Sequence, residues 1–255
     1  MSAQMTTSTP AQPAATGAAP FWSCVLAQTR AELMMTLRRG ESLLITVFIP
    51  VVLLIAFAWL KVGGTNFLVP GVMALALMST GMVSLSIATG YERYYGVLKR
   101  LGASPLSRSG LILAKTLSVV VIEVAQMTLL ALLGLIFLDW RPSGSILLYI
   151  IVFLLGTATF CGLGMLMAGA LRAEATLAGA NGLYLLFILI PGTVLPISKL
   201  PGFLQPVASI LPAASLSDAL YGATTAGAFH ASSLIALIVW AIIFLGAAAF
   251  TFKWE

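Results

Sequence analysis

Glu123 is the residue of this sequence best placed to do chemistry. It stands near the middle of an apolar run over about 109–138. Thr116 and Gln126 fall on the same helical face. A carboxylate at the bilayer midplane costs about 2.5 kcal/mol or more, so such groups face a partner or a cavity. Two roles fit it. One is a substrate or proton contact on the inner face of a pathway. The other is a hydrogen bond to a Ser, Thr, Tyr or Asn of a neighbouring helix. Other chemistry has little footing. The single histidine, His230, belongs to no H-E-x-x-H, and no paired-acid motif or two-Cys metal set accompanies it. No G-x-x-x-x-G-K-[ST] stretch cradles phosphates. Gly162-Leu163-Gly164 lacks the strand and the spacing of a dinucleotide fingerprint.

The elements that must position Glu123 follow from composition. Of 255 residues, 60% are hydrophobic and 8% are charged, against about 25% charged in soluble domains. Mean hydropathy is +1.06. These values exclude a soluble globular domain, a disordered chain and a disulfide scaffold, and leave an all-α polytopic membrane protein. Cys24 precedes the first apolar run and Cys161 lies inside a later one, so no disulfide is expected. The net charge of +5 fits basic loops on the cytoplasmic side, with no nucleic acid partner.

Residues 1–19 are uncharged and poor in large apolar groups, which predicts a disordered cytoplasmic tail. Over 20–40, apolar residues recur at helical spacing between Arg30, Glu32, Arg38 and Arg39. That pattern predicts an amphipathic helix lying along the membrane. Six runs then approach the roughly 20 residues needed to cross a bilayer: about 42–60, 67–90, 109–138, 145–171, 175–196 and 231–252. With the N-terminus inside, Arg30, Arg38, Arg39, Arg93, Lys99, Arg100, Arg108, Lys115, Arg172 and Lys253 fall inside. Lys61, Arg141 and Lys199 fall outside. This bias places both termini in the cytoplasm.

Two connections are longer than a turn. In the cytoplasmic one, Tyr91, Tyr94, Tyr95, Leu98 and Leu101 share a face, with Arg93, Lys99 and Arg100 off it. Gly102 and Pro105 end the helix. The prediction is a short helix over 91–102 that presents aromatic and basic groups to a soluble partner. The stretch Glu92-Arg93-x-x-Gly96-x-Leu98-Lys99-Arg100-Leu101-x-Ala103-Ser104-Pro105 resembles the signature of ABC type-2 exporter permeases, the membrane subunits of drug-resistance and daunorubicin-export-like transporters. The resemblance extends to the helix before the first span, the six-span count and the Pro-rich last external loop. Tyr94-Tyr95 departs from it, since many members carry an acidic residue there. The resemblance implies docking of a separate ATPase subunit through Glu92, Arg93, Tyr95, Leu98, Lys99, Arg100 and Arg30. ATP and Mg would then sit on that partner, and this chain would bind no cofactor directly.

In the external connection, Pro191, Pro196, Pro201, Pro206 and Pro212 punctuate short apolar stretches. A re-entrant helical hairpin over 197–220, between spans five and six, fits them, because broken backbone at membrane depth needs cover from protein or a cavity. Pro196, Pro201, Phe203 and Pro212 are its candidate gate residues. Small and polar residues in the spans read first as packing. Ser79, Ser86 and Asn181 nevertheless join Glu123 and Gln126 as candidate pathway residues.

The expected function is an ATP-driven exporter permease for a lipophilic compound (a drug, lipid or glycolipid) in a bacterial plasma membrane. It would act as a homodimer or as a heterodimer with a paralogue. The alternative is a proton- or cation-coupled secondary transporter or channel that uses Glu123. The single midplane charge and the lack of an inverted repeat weigh against that alternative.

Overall fold

Inside a bilayer an apolar run has no water to satisfy its backbone, so it must close its own N–H and C=O groups as helix. The computed structural model describes residues 20–38, 40–61, 64–189, 202 and 205–251, and among them all regular structure is helical. The helices are α1 (Phe21–Arg38), α2 (Gly40–Trp59), α3 (Thr65–Met78), a π turn (Ser79–Ser84), α4 (Leu85–Tyr94), α5 (Val97–Gly102), α6 (Arg108–Phe137), α7 (Ile146–Ala170), α8 (Ala173–Leu189), α9 (Gln205–Ile210), α10 (Pro212–Thr224) and α11 (Ala231–Thr251). Four are long and apolar enough to cross a membrane: the joined rod Thr65–Tyr94, α6, α7 and α11. Thr46–Trp59 and α8 are shorter apolar helices.

The rod is the centre of the molecule. Every residue from Leu68 to Met78 is buried, as expected of a helix apolar on all sides. It is enclosed by α2, α6, α7 and α10. By contrast, α6 and α11 leave broad apolar faces uncovered, including Leu132, Ile136, Ile242 and Phe250.

Glycines set the spacing around α7. A Cβ on Gly164 would stand 2.7 Å from the Gly81 carbonyl oxygen and 2.9 Å from that of Met82. The α7 backbone therefore lies directly on the π turn. One on Gly162 would stand 2.9 Å from the Leu245 nitrogen of α11. These are close approaches of the kind small residues permit in membranes.

Two expected boundaries move. The helix over 91–102 is divided, because the rod continues to Tyr94 and the chain then breaks at Gly96, which adopts φ +71°. That left-handed conformation is open to glycine at little cost. The expected hairpin begins outside the described residues. Within them, α9 and α10 meet at Leu211, and Pro212 opens an α10 buried along most of its length. The tail 1–19 and the candidate gate residues Pro196, Pro201 and Phe203 also lie outside the described residues.

Candidate coupling and pathway site

Three charges meet under α1. Lys115 Nζ on α6 lies 2.8 Å from Glu32 Oε1 of α1 and 2.6 Å from Glu92 Oε2 of α4. All three residues are buried. Gln28 Nε2 donates to Glu32 Oε1 at 2.8 Å. The cluster ties the first helix, the end of the central rod and the start of α6 into one unit. A buried cation enclosed by two carboxylates is held by geometry, since each charge has given up its water. Thr29 Oγ1 adds contacts to the Val25 and Ala114 carbonyls at 2.9 and 3.3 Å. Around them Val25, Leu98, Leu106 and Leu111 form a small apolar core.

This cluster went unnoticed in the sequence. Glu32 reads there as part of a solvated helix face, and Lys115 as a topology charge. One signal was present: Lys115 sits in an apolar run with no acidic residue three or four positions away, so its partner had to come from another element.

Glu92 thus faces inward, buried against Lys115. Arg93 also turns inward. Its Nη1 donates to the Gly169 carbonyl at 2.5 Å and its Nη2 to that of Leu171, so it caps the C-terminal end of α7. Leu98 is fully buried and anchors α5. What remains outward on this loop is Tyr94, Tyr95, Lys99 and Arg100, with Tyr91 stacked on Tyr95 at 6.2 Å between ring centroids. Arg30 is exposed on α1.

A cavity of about 510 Å³ opens between α1, α2, the rod and α8. Ser79, Ser84, Tyr91, Tyr95, Asn181 and Tyr184 are among its lining residues. Of the candidate pathway residues, Ser79 and Asn181 therefore reach it. Ser86 is buried and bonds the Val83 carbonyl at 3.1 Å. Gln126 accepts from Thr80 Oγ1 at 3.0 Å and donates to the Thr46 carbonyl at 2.8 Å, which joins α2, the rod and α6. Glu123 is fully buried behind the π turn, where its Oε2 accepts from Thr157 Oγ1 of α7. Its Oε1 has no hydrogen-bond partner among the described residues.

At the opposite end, Pro212 is buried at the first position of α10. Asp218 Oδ2 accepts from Ser233 Oγ at 2.5 Å and lies 3.2 Å from His230 Nδ1. No group of three or more metal-ligating side chains occurs among the described residues.

Residues 24–225 match the family model described as ABC-2 type transporter. The chain is 23% identical over 189 residues to a protein of Escherichia coli K12 named as a probable multidrug ABC transporter permease, YbhS, which covers 73% of this chain and 49% of that protein. A second protein so named in that organism, YbhR, is 24% identical over 153 residues, 60% of this chain and 42% of its own length. The transport permease YvfS of Bacillus subtilis 168 is 25% identical over 237 residues, 86% of this chain and 92% of its own. The chain thus spans about half the length of the first of these relatives. Its apolar helices and the match over most of its length give one conclusion: this is a multi-pass membrane protein that belongs to the ABC-2 type transporter family.

Proposed function

We propose that this chain is the membrane permease of an ATP-driven exporter, powered by a separate ATPase subunit. The observation that carries this reading is the outward face of α5. Lys99 and Arg100 are exposed near two exposed tyrosines, while Leu98 fastens the helix to the small apolar core that includes Val25, Leu106 and Leu111. A short helix that is anchored on one side and offers aromatic and basic groups on the other is suited to receive a soluble partner. Arg30, exposed on α1, is the further docking candidate. ATP and Mg would be held by that partner.

In this reading six helices span: α2, the rod, α6, α7, α8 and α11. Helix α2 has 20 residues, about 30 Å at ~1.5 Å per residue and enough for the hydrocarbon core. The excess of Lys and Arg at the α5 end favours a cytoplasmic position for that end and for both termini, in this reading at a bacterial plasma membrane. Helices α9 and α10 form the re-entrant hairpin at the outer side, with Pro196, Pro201, Phe203 and Pro212 as its gate. The cavity beside Ser79 and Asn181 is open along α2 and α8. Exposed Phe48, Val52, Ile55, Leu185 and Leu186 on those helices suit a second permease chain, identical or paralogous, that closes a pathway for a lipophilic compound.

The test is co-purification with an ABC ATPase subunit. Reversing Lys99 and Arg100 to Glu should abolish association and the permease-dependent part of ATP hydrolysis, with the melting temperature unchanged. Undiminished association would refute the docking surface. A second reading, proton- or cation-coupled transport, draws on the unpartnered Glu123 Oε1. It requires transport without an ATPase, and requires Glu123→Gln to abolish that transport.

A further inference from the structure

The cavity beside Ser79 and Asn181 is built on one stripe of the central rod. Ser79, Val83, Ile87, Tyr91 and Tyr95 line it on successive turns and are half-buried or exposed, while Met82, Ser86 and Gly90 on the other sides are buried. The stripe runs about 24 Å at ~1.5 Å per residue, from the α5 end of the rod inward. It stops at Ser79, because every residue from Leu68 to Met78 is buried. A ligand that enters from the α5 end, or between α2 and α8, therefore goes no further than the π turn.

Two kinds of group make up the wall. Ile49, Val83 and Ile87 are apolar, and Ser79, Ser84, Tyr91, Tyr95 and Asn181 bring hydroxyl and amide groups. Asn181 Nδ2 donates to the Leu177 carbonyl at 2.8 Å, which leaves Oδ1 as the acceptor it offers. The stacked rings of Tyr91 and Tyr95 form an aromatic platform at the α5 end. No charged side chain is among the described residues that line the cavity. The charges nearest to it in the chain are engaged elsewhere. Glu92 holds Lys115, Arg93 caps α7, and Glu123 lies behind the π turn against Thr157. A charged headgroup that entered would give up its water and meet no counter-charge, which is costly. A hydroxyl group loses little, because Ser, Tyr and Asn replace the bonds it made to water. A volume of about 510 Å³ suits a drug-sized molecule.

Taking the exporter reading as given, we propose that the cargo is an uncharged amphiphile whose polar end is a hydroxylated ring, as in an alkyl glycoside. The ring lies against Tyr91 and Tyr95, and the apolar body runs inward along Ile87, Val83 and Ile49. Ser84 and Asn181 bond to oxygens along it.

The test uses the full chain with an ABC ATPase subunit in nanodiscs. Three probes share one decyl chain that carries a diazirine and differ only in the head: glucoside, trimethylammonium or sulfate. Adducts are mapped by mass spectrometry after irradiation without nucleotide. The glucoside should label residues 79–95 and 177–184 about tenfold more than either charged probe, a modest part of the cost of stranding a charge. All three should label Ile242 and Phe250, on the exposed face of α11, alike. Asn181→Leu should lower cavity labelling by the glucoside about fivefold, the worth of one ordinary hydrogen bond. Ala88→Phe fills the cavity from the rod and should bring labelling down to the α11 level. Ser84→Leu fills it from the next turn and serves if Ala88→Phe fails to fold. ATP and Mg should lower glucoside labelling in the cavity and leave α11 labelling unchanged. Equal cavity labelling by the three heads, or a preference for a charged one, would overturn the proposal. Glucoside labelling unmoved by ATP turnover would mean a resident molecule and would overturn it equally. Selective labelling of a chain that binds no ABC ATPase would sink the exporter reading and support the head preference. Normal ATPase association with unselective labelling would sink the head preference alone.

Discussion

Replacing Lys115 by Met tests the physical account of the charge cluster most directly. The side chain is 1% exposed, and its Nζ lies 2.6 and 2.8 Å from two buried carboxylates. Methionine has similar length and fills the same space, so the cavity term is small. What changes is charge: Glu32 and Glu92 are left facing each other without a cation. Removing one member of a buried ion pair costs about 3–5 kcal/mol, most of it the desolvation of what remains. At about 1.4 kcal/mol per tenfold, the folding equilibrium should fall by two to three and a half decades. Chemical denaturation of the purified protein in detergent, followed by tryptophan fluorescence, reads this loss. Adding Glu32→Gln and Glu92→Gln to Lys115→Met should recover most of it, since a cluster made neutral throughout strands no charge. Lys115→Met within about 1 kcal/mol of the parent, or a triple variant no better than the single one, would refute the reasoning. The first result would mean the carboxylates reach water, and the second that packing dominates.

Other outcomes follow from the same geometry. Gly164→Ala pushes a methyl group against the Gly81 and Met82 carbonyls, at 2.7 and 2.9 Å. It should cost about 1–3 kcal/mol by overpacking, whereas Gly246→Ala in α11 meets no atom within 4 Å and should be neutral or slightly stabilising in the same unfolding assay. Arg93→Lys keeps the charge but loses the fork that bonds two carbonyls at the end of α7. Hydrogen exchange of the Leu171–Ala173 segment should rise, while Lys99→Ala should leave it unchanged. Glu123→Gln keeps an acceptor for Thr157 Oγ1 and should preserve fold and ATP-driven transport. Glu123→Leu removes that acceptor and should lower the melting temperature.

Much was legible in the sequence because the bilayer permits so few solutions. An apolar run that cannot bond to water must be helix, so the helical class and the approximate runs follow from composition and length alone. Ser107 and Ser145 cap α6 and α7 by accepting from the Gly110 and Leu148 N–H groups, a local signal that the apolar runs alone did not use. The loop from Glu92 to Pro105 carried the family. Pairing across elements was not legible. Nothing local joins Glu32, Glu92 and Lys115, which lie on three helices far apart in the chain, and the same charges read equally well as solvated loop residues. Glu123 and Gln126 stood out for being polar in an apolar run, yet their depth behind the π turn depends on how closely α7 approaches Gly81. Arg93 shared a motif with Lys99 and Arg100, but only the position of the α7 end turned it inward. The sequence by itself determined a helical membrane chain of one transporter family. Tertiary structure decided which charges are buried and paired and which face outward, because a charge's energy depends on neighbours that only the fold brings within hydrogen-bond reach.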